Sequence, residues 1–197
     1  MNQPRLFKTN ALVSVALFFV AALSFFSAGA SARQREHLTP EEVELVRDNQ
    51  ELDKRTDVFV HAAERRLLAV TDPDEAVRQQ AKEKEKWGEV KGTRAELLYD
   101  ISKILEEAVT NVDDAAQHNP ESRLLRKSLY KLSEAAGRIA PQLARLREGT
   151  REESEADQLD RAIETAQEIL DAAKQRAVTA EDLKTKDPKA KDGKKGN

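Results

Sequence analysis

The 197-residue sequence contains no cysteine and one methionine, Met1. Without thiols it can form no disulfide, no thiolate metal site, no cysteine nucleophile and no haem attachment through Cys-x-x-Cys-His. Glycine is scarce: seven in all, with Gly29, Gly193 and Gly196 outside the segment expected to fold. That scarcity argues against a β-sandwich or a loop-rich catalytic domain. Aromatic residues make up only 5% of the chain, while 39% is hydrophobic and 35% charged. The profile is one of charged helices around a thin aliphatic core.

Clustered positive charge is also missing from the body. The net charge is −3, and removing residues 1–32 with Arg5 and Lys8 leaves 31 basic and 36 acidic side chains. Residues 183–197 hold six lysines and two aspartates, so the body between leader and tail stands at −9. Phosphate contacts need clustered cations, so the acidic body argues against general nucleic-acid binding.

Residues 1–32 read as an export signal. Arg5 and Lys8 form a basic start, residues 11–26 are apolar apart from Ser14 and Ser24, and Ala30-Ser31-Ala32 fits a cleavage site before Arg33. Ala28-Gly29-Ala30 offers a second site. The alternative is an uncleaved membrane anchor, since no charge falls between Lys8 and Arg33. A span takes about 17–25 apolar residues, and the strongly apolar run has 16, which favours cleavage. Both readings place the body outside the cytoplasm, periplasmic or secreted.

The body is organised around residues 93–116. Leu98, Ile101, Leu105, Ala108, Val112 and Ala115 recur at steps of three and four, one stripe of a helix. Thr93 and Glu96 form a capping box at its start. Upstream, Thr39-Pro40-Glu41-Glu42 begins a helix with Thr as N-cap and Pro at N1. It is expected to run unbroken to about Val70, with Leu45, Leu52, Phe59, Ala63, Leu67 and Val70 on its stripe. Asp72-Pro73 starts a short second helix, about residues 74–86, polar nearly all round before Trp87. Asn119 is expected to cap a helix bearing Leu125, Leu129, Leu132, Ala136, Ile139, Leu143 and Leu146, kinked near residues 137–141 by Pro141. Gly149 reads as its C′ residue. Thr150 to Glu153 reads as another capping box, before a helix bearing Leu159, Ile163, Ala166, Leu170, Ala173 and Ala177. Thr179 caps one further turn, and residues 183–197 read as a disordered basic tail.

Short connections at Asn119 and Gly149 predict antiparallel neighbours. The expected fold is all-α: an up-down antiparallel four-helix bundle over residues 33–182 with one extra short helix. The alternative is a three-helix bundle with the first helix as an arm. The plan resembles exported four-helix bundles of the cytochrome b562 type in architecture alone. The methionine ligand that such a haem site needs has no counterpart here.

Nothing in the sequence spells catalysis. No P-loop, dinucleotide fingerprint or nucleophile elbow occurs. The three histidines, His37, His61 and His118, lack the Glu-x-x-His pattern of di-iron bundles. His61 and Glu64 have the reverse order, about 200° around the helix from Phe59. No catalytic, cofactor or metal residue is therefore assigned. Asn49 and Thr56 form a polar seam between the apolar positions of the first helix, either a register device or the lining of a site. Trp87, the only tryptophan, reads as a partner contact or as a cap on the core.

The expected function is a non-enzymatic protein–protein interaction or structural module of the cell envelope, working through a protein partner or self-association. The alternative is a ligand- or metal-binding helical bundle in the periplasm. The lysine tail offers weak, salt-sensitive contact with anionic surfaces, and membrane attachment requires an uncleaved leader.

Overall fold

The computed structural model describes residues 36–184. The expected leader with its candidate cleavage sites, and the expected basic tail beyond Lys184, lie outside the described residues. Those described form six α-helices and no strand: α1 Pro40–Asp48, α2 Leu52–Thr71, α3 Pro73–Trp87, α4 Arg94–His118, α5 Arg123–Gly149 and α6 Glu153–Gln175, followed by a 3-10 turn, Ala180–Lys184. None of these helices is long and apolar enough to cross a membrane.

Three helix starts follow the sequence chemistry directly. The Thr39 and Thr93 side chains accept the Glu42 and Glu96 amides, and each glutamate returns a bond to the cap backbone. Asp72 accepts the Glu75 amide ahead of Pro73. Other boundaries differ from expectation. The first helix is not continuous: it stops at Asp48 and restarts at Leu52. Asn119 closes α4, and Ser122 is the N-cap of α5. Gly149 remains inside α5, and Glu152 caps α6 by accepting the Glu155 amide. Thr150 instead turns its hydroxyl back to the Leu146 carbonyl at 2.8 Å, and so it leaves the cap to Glu152. α5 runs through Pro141.

The core draws on α2, α4, α5 and α6. The predicted stripe of α4 is buried from Leu98 to Val112, widened by Leu97 and Ile104, and that of α5 from Leu125 to Leu143. α6 is rotated from expectation. Ala162 and Ile169 are fully buried, while Ile163 and Leu170 only pack against the core edge.

Ion pairs follow the seam between α2 and α5. Asp53 pairs with Lys127 at 2.6 Å, Asp57 with Lys131 at 2.6 Å and Glu64 with Arg138 at 2.7 Å. The offset stays at 74 residues, so α5 runs parallel to α2. Arg55 reaches Asn111 at 2.9 Å, while Arg94 reaches the Val70 carbonyl at 3.4 Å, so α4 runs antiparallel to α2. α6 packs on α4 and α5. The four-residue link between α4 and α5 therefore does not make them the broadest neighbours. They share a narrow contact across the core, while α2 separates them on one side and α6 on the other.

α6 ends in a Schellman geometry, with Val178 N–H donating to the Ala173 carbonyl and Ala177 N–H to that of Lys174. The residue at its left-handed position is Ala177, φ +47°, where glycine would carry no Cβ penalty. Conversely Gly137 sits inside α5 with open space where a Cβ would stand. Ala177→Gly and Gly137→Ala should therefore each stabilise the fold by about 0.5–1 kcal/mol. Thermal unfolding should show both midpoints above that of the parent; a fall in either contradicts the local assignment.

Candidate functional site

The polar interior of the protein lies where α1 folds back over α2. Glu42, on the first turn of α1, is completely buried. Its Oε1 accepts from Arg65 Nη1 at 2.6 Å and from Arg66 Nη1 at 2.7 Å, and its Oε2 from the Thr39 amide at 2.9 Å. Adjacent arginines on one helix point about 100° apart, so both reach one carboxylate only because α1 crosses above them. The second guanidinium nitrogens hold backbone. Arg65 Nη2 donates to the Gly88 carbonyl at 2.6 Å and Arg66 Nη2 to the His37 carbonyl at 2.8 Å. Arg66 also faces the buried Asp100 of α4 at 4.0 Å. Two cations and two carboxylates thus balance inside the fold.

Around this cluster the chain approaches itself closely. Thr39 Oγ1 donates to the Trp87 carbonyl at 2.8 Å, and Arg65 Nη1 to the same carbonyl at 2.9 Å. Gly88 adopts φ +67°. A Cβ there would stand 2.0 Å from a Glu41 carboxylate oxygen and 2.9 Å from Thr39 Oγ1. The left-handed backbone favours glycine, and a Cβ would also press on Thr39 Oγ1, whereas the exposed Glu41 carboxylate can swing aside.

Outside the cluster, α1, α2 and α3 frame an open cleft of about 450 Å³ lined by Leu45, Asn49, Asp57, His61, Lys86 and Trp87 among others. Trp87 is half-buried and lies outside the hydrophobic core cluster. Its ring centroid is 4.2 Å from that of His61 at a 55° tilt, with Lys86 Nζ 5.4 Å and the Arg65 guanidinium 6.0 Å from the ring, within cation–π range. His61 Nε2 contacts Glu83 Oε2 at 3.0 Å, which ties α3 to α2. On the far side of His61, a second cleft of about 310 Å³ lies between α2, α3 and α5 and includes Glu64, Arg138 and Gln142.

The residues picked out from sequence are partly brought together. Asn49 and Trp87 line one cleft. Thr56 does not line it: it is buried, with its hydroxyl donating to the Leu52 carbonyl at 2.9 Å. Asn49 ends α1 and turns its side-chain amide onto the Leu45 carbonyl at 2.6 Å. The helix break between Asn49 and Thr56 removes the shared face on which a polar seam rests. His118 contacts the Asp114 carbonyl in the last turn of α4, and His37 contacts Glu107 at 2.7 Å. No group of three or more His, Asp or Glu able to hold a metal occurs among the described residues.

Asp53 is a third buried acid, beside Glu42 and Asp100. Burial acts to raise its carboxyl pKa, but the hydrogen bond from Lys127 and the charges of Lys131 and Lys127 outweigh it and hold the group below its usual 3.8. Sequence reading missed Glu42, Arg65, Arg66, Asp53 and Asp100 because charged residues in so charged a chain read as solvated faces. The available signal was Arg65-Arg66 set between Ala62-Ala63 and Leu67-Leu68.

No known protein family, curated protein or solved structure matches this chain.

Removing one partner from a buried ion pair strands the others. Glu42→Ala should cost about 3–5 kcal/mol in denaturant unfolding; a loss under about 1 kcal/mol, the range of exposed pairs, contradicts the cluster. Asp53 has a depressed folded-state pKa, so its contribution is present above the unfolded value and is lost as pH falls below about 4. Asp53→Asn should accordingly cost about 1–3 kcal/mol at pH 7, with the difference from the parent shrinking as pH drops through that window. A pH-independent difference contradicts the ion-pair account.

Proposed function

We propose that the chain is an exported, non-enzymatic four-helix bundle of the cell envelope that acts through protein–protein contact, with Trp87 at the centre of the contact surface. The bundle consists of α2, α4, α5 and α6, while α1 and α3 flank it and shape the binding cleft. The observation that carries the reading is the placement of Trp87. The sole tryptophan is half-buried at the rim of the α1–α3 cleft, which His61, Lys86 and Asn49 also line. Interface hot spots are enriched in tryptophan, tyrosine and arginine. α3 supports the same reading: it buries only Ala76 and leaves Val77 68% exposed, so it contributes surface more than core. The leader chemistry of residues 1–32 supports export, and the lysines beyond Lys184 would add a weak, salt-sensitive contact with anionic surfaces.

Trp87 is also a unique fluorophore. Binding of an envelope partner, or self-association, should blue-shift and protect its emission from quenchers, and Trp87→Ala should weaken the interaction at least about 30-fold, the effect of a hot-spot truncation. Light scattering against concentration and capture from envelope extracts provide the two readouts. A strict monomer that captures nothing, or turnover of a substrate by purified protein, overturns the reading.

A further inference from the structure

Between Glu41 and Thr71 the sequence contains neither glycine nor proline, yet the helix breaks at residues 49–51. The break is capped locally: the Asn49 side-chain amide donates to the Leu45 carbonyl and that of Gln50 to the Arg47 carbonyl, each at 2.6 Å. Asn49 (φ −90°, ψ 90°) and Glu51 (φ −74°, ψ 131°) adopt extended conformations open to any residue. The Asn49 and Gln50 carbonyls, which would take the Asp53 and Lys54 amides in an unbroken helix, accept from the Arg55 guanidinium at 3.2 and 3.3 Å instead. Beside these local caps, the tertiary contact of α1 with its groove holds the bend. That contact is mainly polar: Glu42 is the only buried residue of α1, with Val43 and Val46 packed partly on the core.

Straightened, residues 40–71 would make one helix of about 48 Å, and Leu45, Leu52 and Phe59 would share a stripe at heptad spacing. The groove would then hold two guanidinium groups deprived of their carboxylate, an arrangement that is costly to leave open. Its complement is specific: a helix start that offers a threonine hydroxyl to the Trp87 carbonyl and a glutamate, three residues on, to Arg65 and Arg66. A second copy of this chain carries that start.

We propose that α1 exchanges between two copies: residues 49–51 straighten, and Glu42 of each chain lands on Arg65 and Arg66 of the other. The exchange closes a two-fold symmetric dimer in which every contact of the bent monomer is remade between chains. It deepens the self-association reading above by naming the segment and the groove. The bent monomer persists because docking within one chain has the advantage of high effective concentration. Any change that favours helix at residues 49–51 shifts the balance toward the dimer.

The chain has no cysteine, so single labels can be placed on the full chain, purified after expression with its own leader. One batch carries a donor at Glu44→Cys on α1 and another an acceptor at Glu85→Cys on α3, both exposed positions. The two are mixed, and energy transfer between chains is read beside mass from light scattering. In the Asn49→Ala/Gln50→Ala/Glu51→Ala background the dimer association constant should rise about tenfold, alanine being the best helix former, and transfer should appear with it. Asn49→Ala alone, a milder change, should act in the same direction. Adding Glu42→Gln should abolish the transfer. If the hinge variants remain monomeric, or dimerise without transfer, exchange is overturned. Dimers without transfer would still leave self-association through another face standing.

Discussion

Everything distinctive about this fold depends on one carboxylate. Glu42 is taken out of water at the start of a nine-residue helix and holds two neighbouring arginines. Such a burial is stable only when geometry and hydrogen bonding are nearly complete. Here both carboxylate oxygens are bonded and the arginines' Nη atoms occupy backbone carbonyls of the lead-in, α2 and the loop after α3, while the buried Nε of each arginine has no hydrogen-bond partner among the described residues. A helix too short to stand alone in water is thereby fixed over a longer one. Arg65 of the same cluster also bonds the Trp87 carbonyl and so brings the end of α3 against α2.

Two kinds of force therefore divide the molecule. Aliphatic burial of the usual size, about 25 cal/mol per Å² of apolar surface, holds α2, α4, α5 and α6 around their shared core. Ion pairs line the seam between α2 and α5. The Asp53, Asp57 and Glu64 ladder matches Lys127, Lys131 and Arg138 rung for rung, in keeping with the parallel placement of α5 beside α2. Only the Asp53 carboxylate of this ladder is buried; the exposed rungs each contribute about 0–1 kcal/mol.

Much of the fold was legible in the sequence for local reasons. The Thr39 and Thr93 capping boxes, the Asp72-Pro73 start and the stripes of α4 and α5 involve residues within a few positions of one another. What was not legible is tertiary. No glycine or proline lies between Glu41 and Thr71, so Asn49 leaves only a weak local mark of the interruption at 49–51. α6 offers apolar side chains on two overlapping stripes, and only packing decides that Ala162 and Ile169 face inward while Ile163 and Leu170 lie at the edge. Ala177 adopts a conformation that its type rarely signals. The candidate site was half-legible. Trp87 stood out by rarity, and Asn49 proved to line the same cleft, but the buried acids and arginines looked like any others in a chain that is one-third charged.

The claim underlying this account is that burial of Glu42 holds α1 against the bundle. Native-state hydrogen exchange on the unmodified chain tests it most directly, because the Val43 and Asn49 amides bond only within α1, to the Thr39 and Leu45 carbonyls, and are protected only while α1 is formed. The account predicts that both exchange orders of magnitude more slowly than in an unstructured peptide. Exchange of both at peptide rates, with α4, α5 and α6 still protected, would contradict it.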